Sequence, residues 1–136
     1  MTVCLDASIV LKLLIYETDS ERAVQWLNSH EGEELVAPTF LFAEVASVLQ
    51  RRVRMGEVTA QERKDALDAL ESIQIRPIWD YALIRQATAL AEEIGQPTIY
   101  DTIYLAVAER ERCIFLTADQ RFAKAASGTY SSVQLL

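Results

Sequence analysis

Thr98 to Asp119 reads TIYDTIYLAVAERERCIFLTAD, and this stretch decides the fold. Asp101 stands just inside a helix start, and the residues after it, Ile103 to Ala108, are apolar almost all round. A helix with so few polar faces belongs between layers rather than on a surface. Glu109-Arg110-Glu111-Arg112 closes it with charge, and a β-type run, Cys113 to Thr117, follows. Asp119 comes next, so two carboxylates bracket one buried helix–strand unit.

Outward from there the pattern repeats. Downstream, Phe122, Ala123 and Ala126 mark a short helix ended by Gly128, and Ser132 to Leu135 reads as a last strand. Upstream, Asp80 can cap a helix with the stripe Leu83, Ala87, Leu90, Ala91 and Ile94, and Gly95 stops it. Ile73 to Trp79 is a strand whose Pro77 predicts an edge position or an early end. Thr59-Ala60-Gln61-Glu62 is a capping box, followed by Ala66, Leu67, Leu70 and Ile73 at helical spacing. Leu35-Val36-Ala37 is a short strand. Pro38 is expected in the first turn of a helix that runs to about Met55 and stops at Gly56. Thr18-Asp19-Ser20-Glu21 is a second capping-box pattern, ahead of Ala23, Trp26 and Leu27. The chain begins with a strand, Thr2 to Leu5, and a helix, Ile9 to Ile15, interrupted by Lys12 and opened by Asp6-Ala7-Ser8.

Strands separated by helices imply a parallel sheet with helices on both faces, and ligands of such sheets bind at the carboxyl ends of the strands. With 136 residues, 51% of them hydrophobic, the chain suits one domain, 1–136, with a single core. No apolar run approaches ~20 residues, so no membrane span is expected. The N-terminus MTVCLDAS has no basic region and no long apolar run, so it is not read as a signal peptide and a cytoplasmic protein is expected. Cys4 and Cys113 are expected as reduced thiols in buried strands. The net charge of −7 excludes a protein that holds nucleic acid by bulk electrostatics, though not one that holds it through metal ions.

The acids carry the chemistry. Asp6 and Asp119 each follow a strand, so in a parallel sheet both project toward one edge. Taken singly, each reads as a helix N-cap, and Thr98-Ile99-Tyr100-Asp101 resembles a capping box. Glu44 lies on or beside the apolar stripe Leu41–Val45–Val48, where an unpaired carboxylate is costly. It must be paired, with Lys12 as the structural candidate, or protonated, or bound to metal. Taken jointly, four converging carboxylates raise one another's pKa values, and one or two divalent cations remove the conflict. Oxygen-only ligands favour Mg²⁺ or Mn²⁺ over zinc.

These residues resemble the PIN-domain family, in particular its VapC-type toxin ribonucleases. Leu5-Asp6-Ala7-Ser8 resembles the first strand and acid, and Glu44-Val45 the helical glutamate. Tyr100-Asp101-Thr102-Ile103-Tyr104-Leu105-Ala106 resembles the third motif, and Leu116-Thr117-Ala118-Asp119-Gln120-Arg121-Phe122 the fourth. The resemblance implies an α/β/α sandwich on a parallel five-stranded sheet, PIN-like and Rossmann-like. It implies an endoribonuclease dependent on Mg²⁺ or Mn²⁺, with Asp6, Glu44, Asp101 and Asp119 as catalytic metal ligands and Ser8 and Thr117 as hydroxyl supports. A homodimer and a small antitoxin protein are the implied partners. Ser47 stands where the family commonly has Asn, and Thr102 where it commonly has Ala; both are expected to bear on substrate fit.

Acids do not bind phosphate directly, so RNA must be held by metal together with basic residues. Lys12, Arg51, Arg52, Arg121, Arg54 and Lys124 are the candidates, the last two reading better as solvated surface. His30 is a lone loop histidine with nothing to place it near the acids. Competing classes fit less well. A receiver domain needs a second acid beside Asp6 and a lysine after Thr117. A haloacid-dehalogenase-type phosphatase needs an acid where Ser8 stands. A non-catalytic binding module on the same fold is the remaining alternative, and metal binding discriminates it.

Overall fold

A computed structural model describes residues 1–136. Five parallel strands form one sheet: β1 (Thr2–Leu5), β2 (Glu34–Pro38), β3 (Arg76–Ile78), β4 (Ile114–Thr117) and β5 (Val133–Leu135). Their spatial order is β3-β2-β1-β4-β5. Seven helices connect and flank them: α1 (Ala7–Leu14), α2 (Ser20–Ser29), α3 (Phe40–Arg54), α4 (Ala60–Ser72), α5 (Tyr81–Ile94), α6 (Thr102–Glu111) and α7 (Gln120–Ala126). The chain steps outward from β1 to β3, then crosses back to β4 on the other side. The order therefore reverses between β1 and β4, where a crevice opens at the carboxyl ends of the strands.

The α6 expectation holds in full. Thr102 to Ala108 are all buried, because α5 covers one side of the helix and β1, β2 and β4 lie against the rest. Each large apolar side chain removed from water contributes about 1.5–3 kcal/mol, so Ile103, Leu105 and Val107 anchor this helix firmly. Thr102 is fully buried and its hydroxyl donates to the Ala87 carbonyl on α5 at 2.8 Å. That corrects the expectation for this residue: Thr102 faces no substrate, and its hydroxyl pins the start of α6 to α5. Ser47 is exposed on α3.

Local signals elsewhere have mixed outcomes. Thr59 and Glu62 form the reciprocal capping box, Asp80 Oδ1 accepts from Leu83 N–H at 2.7 Å, and Gly56 and Gly95 take positive φ at helix ends. Pro77 lies in β3, which is one of the two edge strands. Pro38 does not start a helix; it ends β2, beyond the β1 pairing and opposite Ile78 of β3. Its missing N–H therefore removes no bond to β1. The Thr18–Glu21 capping box does not form. Asp19 takes the left-handed conformation at φ 65, and the Ser20 hydroxyl instead accepts from Glu17 N–H at 2.9 Å. The predicted strand at 73–79 shrinks to Arg76–Ile78, because Ile73 keeps helical backbone at the end of α4 and Gln74 takes a positive φ of 59. Cys4 is buried in β1; Cys113 precedes β4 and is half-buried; both are free thiols. No helix is long and apolar enough to cross a membrane.

Candidate active site

Asp6 leaves β1 at the crevice, and β1 and β4 hold it from both sides. Its N–H donates to the Leu116 carbonyl at 3.1 Å. Its carboxylate accepts from Thr117 Oγ1 at 2.6 Å and from Ser8 Oγ at 2.9 Å, both on Oδ2. The hydroxyls are themselves fixed: Ser8 Oγ accepts from Ala118 N–H and Thr117 Oγ1 from Asp119 N–H, each at 3.0 Å. Asp6 precedes α1 without capping it. Burial raises its pKa, the two hydroxyls and the Ala7 N–H oppose that, and Asp119 adds to it.

Asp101 precedes α6 in helical conformation and makes no cap bond. No ion pair or side-chain hydrogen bond engages its carboxylate. Burial first, then the nearby charges of Asp6 and Asp119, push its pKa up to about 6. Glu44 projects from α3 and accepts a 2.6 Å bond from the Tyr104 hydroxyl. Its pKa is raised by burial, held down by Tyr104, and raised again by Asp6 and Asp101. Asp119 does cap its helix, with Oδ1 accepting from Phe122 N–H at 3.0 Å. So of the three acids legible as caps, only Asp119 acts as one.

Asp6 and Asp101 each lie within electrostatic reach of the other three acids at one sheet edge, and no basic side chain forms an ion pair with any of the four. As the side chains stand, no three acidic, histidine or cysteine groups converge tightly enough to grip one ion.

The basic candidates divide. Lys12 does not pair with Glu44: its ammonium donates to Glu17 at 3.2 Å and to the Thr18 carbonyl at 2.9 Å. Arg52 reaches the other oxygen of Glu17 at 2.7 Å. One carboxylate therefore straps the turn after α1 onto α3 and occupies both cations. Arg51 and Arg121 are exposed and carry no ion pair. Arg121 stands two residues beyond Asp119. His30 stacks on Trp26 with ring centroids 3.7 Å apart and bonds its carbonyl, away from the acids. Two residues escaped sequence reasoning. Glu17 had no signal. Tyr104 had one: a hydroxyl-bearing side chain three residues after Asp101 in an otherwise apolar helix. The largest cavity, about 740 Å³, lies at the opposite sheet edge between Met1, Cys113 and Ser132, and has no part in this arrangement.

The chain belongs to the PIN-domain family, which it matches over residues 3–128. Within that family it is similar to Ribonuclease VapC3 of Pyrobaculum aerophilum, with 31% identity covering 91% of this chain and 94% of the relative. Two solved structures share the fold. Mycobacterium tuberculosis VapC20, described as a sarcin-ricin loop cleaving toxin, aligns with a TM-score of 0.71 at 16% identity over 91% of this chain and 95% of its own. A toxin–antitoxin complex from Klebsiella pneumoniae aligns at 0.66 with 18% identity, over 97% and 95%.

Proposed function

We propose that this protein is a Mg²⁺- or Mn²⁺-dependent endoribonuclease, the toxin of a toxin–antitoxin pair, formed as one domain over residues 1–136. The observation that carries this is the group of four carboxylates at the β1–β4 crevice, three of them with raised pKa and none with a basic partner. An all-oxygen donor set with an excess of negative charge fits a small hard cation. Its membership of the VapC ribonuclease branch supports the same reaction.

Asp6, Glu44, Asp101 and Asp119 would hold the ion. Bound there, it supplies Lewis-acid chemistry, making water acidic enough to attack at neutral pH and offsetting charge on the phosphodiester. The rest falls to this chain's side chains. Ser8 and Thr117 favour the ionised form of Asp6 against the effect of burial and aim it into the crevice. Asp101 and Asp119 face the same space from α6 and from the end of β4. Arg121 and Arg51, free of ion pairs, are available to RNA phosphates, whereas Lys12 and Arg52 first have to leave Glu17. In a chain of net charge −7, these contacts alone are weak without the cation.

The working form is read as a cytoplasmic homodimer whose activity a small antitoxin protein blocks; the Klebsiella pneumoniae complex supports such a partner. Phe40 and Trp79 line an apolar cavity of about 330 Å³ with Ile84, Ile99 and Tyr100, beside Asp101. That surface is the proposed contact between copies. Sedimentation of Trp79→Ala tests it: a monomer is expected, and an unchanged dimer removes this surface from the interface.

Cleavage of structured RNA in Mg²⁺ or Mn²⁺, wild type against Asp6→Asn and Asp101→Asn, tests the activity. Loss in both variants is expected. Equal cleavage by all three proteins overturns the assignment. A variant that binds no metal while wild type binds metal without cleaving RNA would favour a binding module instead.

A further inference from the structure

Tyr104 is the largest side chain with no exposure to solvent, yet its hydroxyl ends at the acid cluster. The ring lies nearly parallel to Phe115, with centroids 5.9 Å apart and planes 11° from parallel. Phe115 in turn packs edge-on against Phe122. The position of the hydroxyl is therefore set by the core between α6 and β4. It donates to one oxygen of Glu44, Oε1, at 2.6 Å, and Oε2 has no hydrogen-bond partner. Asp6 shows the same asymmetry, since both of its hydroxyl donors reach Oδ2.

The consequence concerns how Glu44 can bind a cation. A carboxylate with one oxygen held by a rigid donor offers the other as a single-point ligand. Mg²⁺ and Mn²⁺ accept such ligands in a compact six-coordinate shell. Ca²⁺ takes six to eight oxygens at longer distance and commonly uses both oxygens of a carboxylate. We propose that Tyr104 is a positioning residue that confines Glu44 to one-oxygen binding and thereby makes the crevice favour a small octahedral cation over Ca²⁺. This rests on the reading of the four acids as a metal site.

Tyr104→Phe keeps the ring and its stacking and removes only the donor. Binding of Mn²⁺ and of Ca²⁺ to the full chain, by calorimetry without RNA, is the measurement. Wild type is expected to prefer Mn²⁺, and Tyr104→Phe to narrow the Mn²⁺/Ca²⁺ affinity ratio by ~10-fold, which is the low end of what losing an outer partner of a ligand costs in metal affinity. Phe115→Leu disturbs the packing and leaves the hydroxyl; it is expected to lower the melting temperature and keep the wild-type ratio. A wild-type ratio in Tyr104→Phe overturns the proposal, as does an equal change of ratio in Phe115→Leu. Glu44→Gln separates the two levels. If Glu44→Gln weakens Mn²⁺ binding and Tyr104→Phe does not alter the ratio, the metal site stands and the role of Tyr104 falls. If Glu44→Gln binds Mn²⁺ as wild type does, Glu44 is no ligand and both fall.

Discussion

Asp80 and Asp101 occupy the same formal place, the residue ahead of a helix, on two helices that pack side by side. Asp80 has extended backbone, caps α5 through Leu83 N–H, and is held by Arg110 through two bonds of 2.6 and 2.9 Å. The Arg110 guanidinium and the cap bond lower its pKa. Asp101 has helical backbone, caps nothing and meets no arginine, and burial with its acidic neighbours raises its pKa to about 6. The same contrast holds between the sheet edges. At the amino edge Arg76 bridges Glu34 and Glu111, and Glu34 has a lowered pKa. In the β1–β4 crevice no arginine pairs with Asp6, Glu44, Asp101 or Asp119. Where arginines neutralise carboxylates the result is structure; the four left unanswered are the ones proposed to hold a cation.

The strongest way to break this contrast is by activity. Asp101→Asn is expected to lower RNA cleavage by more than ~100-fold, beyond the range for losing an outer partner of a ligand. Asp80→Asn should leave the rate near wild type. Similar losses in both would show that position ahead of a helix, not electrostatic isolation, matters. Thr117→Val keeps the shape of a fully buried side chain and takes one donor from Asp6. A ~10–100-fold fall in cleavage is expected, together with about 1–3 kcal/mol of stability lost in denaturant titration. A stability loss with unchanged cleavage would make Thr117 a structural residue only.

Metal sharpens the comparison next. Mn²⁺ at a hundredfold excess over its dissociation constant should add about 2.7 kcal/mol to wild type and to Asp80→Asn. Asp101→Asn should gain clearly less, read as a smaller rise in melting temperature. The smallest effect is on pH dependence without metal. Asp101 has a folded pKa of about 6 against an ordinary 3.8, so the folded state holds its proton more tightly than the unfolded state. Its favourable contribution is complete below the unfolded value and is lost as pH rises through about 6. Wild type should therefore lose stability relative to Asp101→Asn across that window, by about 1 kcal/mol after screening at a half-exposed group. Asp80 has the opposite sign. Its lowered pKa contributes stability above the unfolded value, lost as pH falls through the folded one. Denaturant midpoints of both variants against pH, moving in the same direction, would contradict this assignment.

Much of this was legible in residue order. The apolar run Ile103–Ala108 required a helix buried between layers, because no face of it can meet water without loss. Pro77 predicted an edge position or an early end for its strand, because its missing N–H is tolerated where that side of the strand has no partner. The capping box at Thr59, the cap at Asp80 and the stop at Gly95 depend on contacts within one helical turn, so local sequence sufficed. The similar pattern at Thr18–Glu21 does not form: Asp19 is left-handed, the Ser20 hydroxyl accepts from Glu17 N–H, and tertiary contacts from Lys12 and Arg52 hold the turn.

Residue order alone determined the alternation of strands and helices, the acids at strand ends and the family that these motifs resemble. The tertiary structure alone decided which acids are neutralised. Lys12 and Arg52 looked free to serve Glu44 or RNA, and the fold engages both with Glu17. Arg110 could have met any acid, and packing of α5 along α6 delivers it to Asp80. Tyr104 looked like core, and its hydroxyl proves to be the one side-chain donor to Glu44. Charge pairing depends on which surfaces meet across long sequence separations, and a spacing rule along one chain carries no information about that.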